Sequence, residues 1–228
     1  MFPPDAPPSA VLFDMDGTLV DNMRFHVQAW VAFARALGLE GEPEERFERE
    51  FAGKRNEEIL AVLLGRPLPA EEATRLAEQK EAHYRALYAP HLAPLRGARE
   101  LLTRLRQGGC PLAVATAAPA ANRDFVLEGL GLRPFFSQVI GAEDVTRGKP
   151  APDIFLASAR ALGVAPASCV VFEDALNGIL AARAAGMFAV GITTMLSEQT
   201  LREAGAHWVI RDFASLPEDL EHWLSRAR

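Results

Sequence analysis

The chain has little cysteine, with only Cys110 and Cys169 in 228 residues. Two thiols cannot make a disulfide-rich scaffold, and each lies beside an apolar run, so both are expected as small core residues. No apolar stretch approaches the roughly 20 residues that a membrane span requires. Basic charge is scarce as well: Lys and Arg total 24 against 30 Asp and Glu, a net charge of −6. There is no basic stripe for nucleic acid and no polybasic segment for an anionic membrane, which leaves a small ligand as the expected partner. The opening Met1–Phe2–Pro3–Pro4–Asp5 lacks the basic flank and apolar core of a signal peptide, so a cytoplasmic location is expected. Internal repeats and long low-complexity tracts are absent. What is present is a 49% hydrophobic composition, enough to bury a sizeable core.

Short runs rich in Val, Leu and Ile recur at Ala10–Phe13, Leu112–Ala115, Gln138–Ile140, Cys169–Phe172, Ala189–Ile192 and Trp208–Ile210. Amphipathic stretches separate most of them, which is the rhythm of parallel strands and crossover helices. Leu101, Leu102 and Leu105 fall at helical spacing before the pair Gly108–Gly109. In residues 151–164 the pattern places Ile154, Phe155, Ala157, Ala161 and Leu162 on one side of a helix that stops at Gly163. Between about 22 and 93 there is no strand run, only helical periodicity in "FHVQAWVAFARALG", "EEILAVLLG" and "AEEATRLAEQKEAHYRALY". The expected architecture is therefore α/β: a Rossmann-like parallel sheet core (1–21 and 94–228) with an inserted α-helical bundle cap (22–93). Trp30, Phe33 and Leu37 are expected in the core of that bundle.

The stretch "AVLFDMDGTLVDN" puts Asp14 and Asp16 at the mouth of the first strand. Ligands collect beyond the carboxyl ends of strands in an open parallel sheet. Two neighbouring carboxylates repel unless a cation neutralises them or one holds a proton, so the pair suggests Mg²⁺ and a phosphate-like substrate. The other reading of the pair is an Asx turn that ends the strand. A calcium loop fits poorly, because its glycine belongs at the sixth position from Asp14, where Leu19 stands. Three further signals sit at other strand ends. The Thr116 hydroxyl could hold a phosphate oxygen, Lys149 could neutralise a phosphoryl group, and Glu173 with Asp174 closes a strand and opens "EDALNGILAARAAG". Taken singly, Lys149 also reads as a solvated charge, and the acidic pair as a helix cap.

As an ordered set, Asp-x-Asp-Gly-Thr, then Thr, Lys-Pro and Glu-Asp, the motifs resemble the haloacid dehalogenase superfamily of phosphohydrolases and phosphomutases. "FDMDGTLVDNMRFHVQAW", "KPAPDIF" and "FEDALNGILAARAAG" look most like its β-phosphoglucomutase-like branch, and the resemblance covers nearly the whole chain. It implies Asp14 as the nucleophile that forms an aspartyl-phosphate and Asp16 as the acid that protonates the leaving oxygen, then the base. It implies Mg²⁺ held by Asp14, the main-chain carbonyl of Asp16 and Asp174, with Glu173 beside them as an alternate or outer ligand. Thr116 and Lys149 would bind the transferring phosphoryl group. His26, near the expected hinge, would sense cap closure or orient Asp16; read without the family, it is a core histidine.

The departures bear on substrate. In the branch that this chain resembles, the cap loop that reads "FAGKRNEEIL" carries an arginine for the substrate's second phosphate, and Asn56 stands there, with Lys54 and Arg55 adjacent. The loop after the second motif would supply a serine and a lysine, where this chain reads Thr116–Ala117–Ala118–Pro119. A site with weaker anchoring releases a bisphosphate more readily. The expectation is thus a Mg²⁺-dependent phosphatase of small phosphorylated metabolites, with Lys54, Arg55, Asn56 and Ala117 near the substrate. The alternatives are a sugar phosphomutase and a non-catalytic metabolite-binding protein, the last opposed by intact Asp14, Asp16, Lys149 and Asp174. A phosphonate hydrolase would need a Schiff-base lysine, and nothing in the sequence around Lys54 or Lys80 supports one. A monomer or weak dimer is expected, since a capped chain of this size can work alone.

Overall fold

A computed structural model describes residues 6–39 and 54–228. Strand β1 (Ala10–Phe13) is followed by helices α1 (Met23–Ala36), α2 (Asn56–Leu63), α3 (Ala70–Tyr88) and α4 (Ala98–Gln107). Then come β2 (Leu112–Ala115), α5 (Ala120–Gly129), β3 (Gln138–Ile140), α6 (Asp153–Leu162), β4 (Cys169–Glu173) and α7 (Leu176–Ala184). The described chain closes with β5 (Phe188–Ile192), α8 (Glu198–Glu203), β6 (Trp208–Ile210) and α9 (Glu218–Ser225). The six strands form one parallel sheet in the order β3-β2-β1-β4-β5-β6.

Burial on both faces explains why β1, β2 and β4 read as unbroken apolar runs. Successive side chains of β1 alternate between two cores: Val11 and Phe13 join Leu101, Leu102 and Trp223, while Ala10 and Leu12 join Ile154, Phe155 and Ile179. A third cluster lies within the helical segment, where Val27, Trp30 and Phe33 of α1 pack with Ile59, Leu60 and Leu63 of α2 and Leu76 of α3. The far end of α3 leaves that cluster. Tyr84 and Tyr88 join the core on the β1 face with Phe25 and Ala29 of α1.

Six strands stand where the sequence places them, with β4 and β5 each one residue longer. Both cysteines are free and buried. Two details differ from the sequence reading. Helix α6 buries Ile154, Phe155, Ser158 and Ala159, with Ala161 exposed, because Ser158 spends its hydroxyl on the Ile154 carbonyl and so fits the interior. Leu37 is 36% exposed: it caps the C-terminus of α1 and falls beyond the turn that faces α2 and α3.

Candidate active site

The strand order places β1 between β2 and β4, so the chain leaves β1 at the point where connections run to both sides. That is the switch point at which an open sheet forms its crevice. The carboxyl ends of β1, β2 and β4 bring Asp14 and Asp16, Thr116, and Glu173 and Asp174 around one cavity. Its opposite wall comes from the helical segment through Met23, His26, Val27, Trp30, Lys54, Asn56, Ile59, Lys80 and Glu81.

After β1 the main chain turns tightly. The Met15 carbonyl accepts from the amides of Thr18, Leu19 and Val20, and Gly17 takes a φ of 75°. Asn22 staples this turn: its Oδ1 accepts from the Gly17 amide at 3.0 Å and its Nδ2 donates to Asp16 Oδ1 at 2.6 Å. The Asp16 carboxylate therefore points toward the helical wall, where its Oδ2 lies 3.6 Å from His26 Nε2. Asp14 points the other way. Its Oδ1 accepts from Lys149 Nζ at 2.6 Å, and the same ammonium donates to Glu173 Oε1 at 2.6 Å.

The two aspartates of the motif thus have different partners, and the electrostatics follow. Burial pushes the Asp14 carboxyl up to about 8, against the lowering pull of Lys149 and with further raising by Glu173 and Asp16. Burial also raises Asp174 well above its ordinary value, reinforced by Glu173 and Asp14. For Lys149, burial works against the charged form, but Asp14 and Glu173 outweigh it and hold the ammonium above its usual range.

Asp14, Glu173 and Asp174 each bring a carboxylate oxygen within 4.8 Å of the others, all buried. Asp174 Oδ1 accepts from Thr18 at 3.3 Å, whereas its Oδ2 is buried without a hydrogen-bond partner. One ammonium among three buried carboxylates, with an orphaned oxygen, fits a hard cation that takes oxygen ligands. The Asp16 side chain is not part of this group, so only its main chain is in question as a ligand.

Other expected residues divide. Thr116 is buried, accepts the Ala118 amide on its Oγ1 at 3.1 Å and lines the cavity with Ala117. Lys54 and Asn56 also line it. Arg55 does not: its guanidinium donates to the carbonyls of Ala142 and Val145, both at 2.8 Å, and so ties the helical segment to the loop after β3. In the stretch "FAGKRNEEIL", Phe51–Gly53 lie outside the described residues.

Asn22, Lys80, Glu81 and Asn122 also belong to the site, although no motif in the sequence marks them. Lys80 is 1% exposed, with its Nζ 2.9 Å from His26 Nδ1 and 2.8 Å from Glu81 Oε1. A signal existed. The buried face of α3 runs Ala73, Leu76, Lys80, Tyr84 and Tyr88, so Lys80 occupies an apolar register, where a charge needs a partner. Lys80 Nζ stands against His26 Nδ1 and the ring's Nε2 faces Asp16, while Tyr84 stacks on the imidazole at 3.7 Å between centroids.

The chain resembles known proteins over most of its length. The family model for haloacid dehalogenase-like hydrolase matches residues 8–186. The chain is 36% identical over 193 residues to validoxylamine A 7'-phosphate phosphatase of Streptomyces hygroscopicus subsp. limoneus, covering 85% of this chain and 89% of that protein. It is 35% identical over 184 residues to a fructose-1-phosphate phosphatase of Escherichia coli (strain K12), covering 81% and 96%. A solved structure of β-phosphoglucomutase from Clostridium difficile superposes with a TM-score of 0.82 at 28% identity, covering 96% of this chain and 97% of that one. Two of these proteins are named as phosphatases and the third as a phosphoglucomutase.

Proposed function

The chain belongs to the haloacid dehalogenase-like hydrolase family of enzymes, and from that premise we propose a Mg²⁺-dependent phosphatase of small, sugar-phosphate-like metabolites that works through an aspartyl-phosphate on Asp14. The observation that carries this reading is the divergence of the two motif carboxylates. Asp14 is held by Lys149 among the acidic residues, and Asp16 faces the opposite wall of the same cavity. A nucleophile and a proton donor need such separate positions on either side of a phosphoester.

In the first half-reaction an Asp14 oxygen forms a bond to phosphorus as the ester P–O bond breaks, and Asp16 delivers a proton to the departing oxygen. In the second, Asp16 takes a proton from water as that water attacks the phosphoaspartate, which releases inorganic phosphate and restores Asp14. Lys149 draws the Asp14 carboxyl down against burial and offsets charge on the phosphoryl oxygens, and Thr116 donates its hydroxyl to one of them. Asp14, Asp174 and the Asp16 carbonyl would hold Mg²⁺, with Glu173 alongside. When bound, the cation supplies neutralising charge where the carboxylates and the phosphoryl group meet. Residues 22–93 act in this reading as a lid on the core formed by 1–21 and 94–228. The reaction takes place away from nucleic acid and membrane, in a cytoplasmic monomer or weak dimer.

Likeness to β-phosphoglucomutase favours a second reading, the phosphomutase. It is opposed by Asn56 and the Thr116–Ala117–Ala118–Pro119 loop, which put amides and methyl groups on the cavity. Phosphorus NMR with Mg²⁺ and a panel of phosphate esters tests both. Release of inorganic phosphate is the expected result. Conversion of β-glucose 1-phosphate, primed with its bisphosphate, into a 6-phosphate without release would establish the mutase instead.

A further inference from the structure

The turn after β1 must be a glycine at position 17, because the Asp174 side chain leaves no space there for a Cβ. Glycine has the freest backbone of any residue, so it does nothing by itself to hold the peptide groups on either side of it. One of those groups carries the main-chain carbonyl of Asp16 together with the Gly17 N–H. That peptide is trans, so the carbonyl points opposite to the N–H, which donates to Asn22 Oδ1 at 3.0 Å. The other group carries the Gly17 carbonyl. Its oxygen accepts from Thr194 Oγ1 at 2.6 Å, a hydrogen bond between residues 177 apart in the chain. With both peptide planes held, the Asp16 carbonyl keeps one direction.

We infer that Thr194 is a positioning residue, which holds the Asp16 main-chain carbonyl in register with Asp174 for Mg²⁺. This rests on the Mg²⁺ part of the reading above. Thr194 lies just past β5, and β5 pairs with β4 so that Gly191 stands opposite Glu173. The sheet that fixes the acidic residues therefore fixes this hydroxyl as well. Asn22 supplies no such reference, since it belongs to the same turn, five residues from Gly17, and orients the peptide only within it. The Thr18 hydroxyl does reach Asp174 Oδ1, but at 3.3 Å, beyond the usual range for an O–H donor, whereas the Thr194 bond lies inside it. Thr194 does not line the cavity, so it acts on the cation through the backbone alone. Groups that orient a metal's ligands in this way typically carry about 10- to 100-fold in affinity.

The test is calorimetric titration of Mg²⁺ alone into metal-free protein, for wild type, Thr194→Val, Thr194→Ser and Thr193→Val. Valine keeps the branched shape and loses the donor, and should bind Mg²⁺ about 10-fold more weakly or worse. Serine keeps the hydroxyl and should restore most of the affinity. Thr193→Val is the control for the loop, because the Thr193 hydroxyl faces the Ile210 carbonyl, at 3.5 Å, instead of Gly17. The Mg²⁺ concentration for half-maximal release of phosphate from p-nitrophenyl phosphate should rise in Thr194→Val by the same factor as the dissociation constant. Wild-type Mg²⁺ affinity in a folded Thr194→Val overturns the inference, and so does an equal loss in Thr193→Val or in Thr194→Ser. If the valine variant does not fold, Thr194→Cys takes its place: a thiol is a weak donor, so cysteine should bind Mg²⁺ more weakly than serine, and equal affinities overturn the inference. A wild type that binds no Mg²⁺ sinks this inference and the Mg²⁺ part of the reading together. One that binds Mg²⁺ but releases no phosphate from any ester sinks the phosphatase reading alone, and the affinities of the variants still decide the role of Thr194.

Discussion

Gly17 stands so close to Asp174 that a Cβ built on it would lie 2.0 Å from Asp174 Oδ2. The turn after β1 and the acidic end of β4 therefore touch through a backbone that has no side chain, and φ at Gly17 is 75°, a value that L residues rarely adopt. Gly17→Ala is expected to displace the orphaned Asp174 oxygen. Turnover should fall by at least about 100-fold, and stability by roughly 1–3 kcal/mol from the strained φ alone. Calorimetric titration with Mg²⁺ checks the cause. Unchanged Mg²⁺ affinity in the variant would show that the glycine serves only the turn.

Lys149 is the sole cation that touches Asp14 and Glu173 among the described residues, and its side chain is 2% exposed. Removing it leaves two buried carboxylates without their ammonium. Breaking a buried pair in this way typically costs about 3–5 kcal/mol. Lys149→Ala in chelator should melt well below wild type, and added Mg²⁺ should restore part of the stability but not the activity. A chelated variant that melts with wild type would mean that the ammonium adds nothing to the stability of the metal-free fold.

The parts of the fold and site that were legible in the sequence are those where a single local pattern decides the outcome. Val11–Leu12–Phe13 and Val170–Val171–Phe172 read as strands because both faces of the sheet are covered. The aspartates, Thr116, Glu173 and Asp174 read as site residues because they close such runs, and Lys149 because it stands in the loop before a helix. On the opposite wall His26, Lys54 and Asn56 were legible, but Lys80 and Glu81 were not. "AEQKEAHY" looks like a solvated helix face, and only the docking of Tyr84 and Tyr88 into the core turns Lys80 and Glu81 inward. Arg55 looked like a substrate ligand from its place beside Asn56, yet its hydrogen bonds go to carbonyls 87 and 90 residues away along the chain. Contacts at that separation leave no local trace.

Asp14 gives a pH dependence with a definite sign. Its folded value, about 8 against an ordinary 3.8, means that the metal-free native state holds a proton that the unfolded chain releases. The stability this contributes is fully present below about 4 and is lost as pH rises through about 8. Chelated wild type should therefore become less stable across that window, and Mg²⁺, which binds the ionised form, should reverse the trend. Asp14→Asn removes the titrating group. It should abolish turnover, flatten the dependence in part, because Asp174 is also raised, and melt at or above wild type in chelator. Melting curves at pH 5 and pH 8 decide, and a variant that is active or markedly less stable would refute this account of the site.

Arg55 joins the helical segment to the loop that leads to Lys149, through the Ala142 and Val145 carbonyls at 2.8 Å. Close packing accompanies the bonds, since a Cβ on Gly148 would lie 3.4 Å from Arg55 Nε. A charged donor on two carbonyls contributes roughly 1.5–3 kcal/mol per hydrogen bond. Losing it should matter most where the lid meets the core. Arg55→Ala is expected to leave the sheet intact but to speed amide exchange in residues 142–149. It should lower kcat/KM by about 10-fold through closure, because Arg55 itself does not line the cavity. Faster exchange confined to that loop, with the amides of β1 and β4 as protected as in wild type, would identify a clasp. Unchanged exchange with the same loss of kcat/KM would instead place the guanidinium on the substrate, as its sequence position beside Asn56 first suggested.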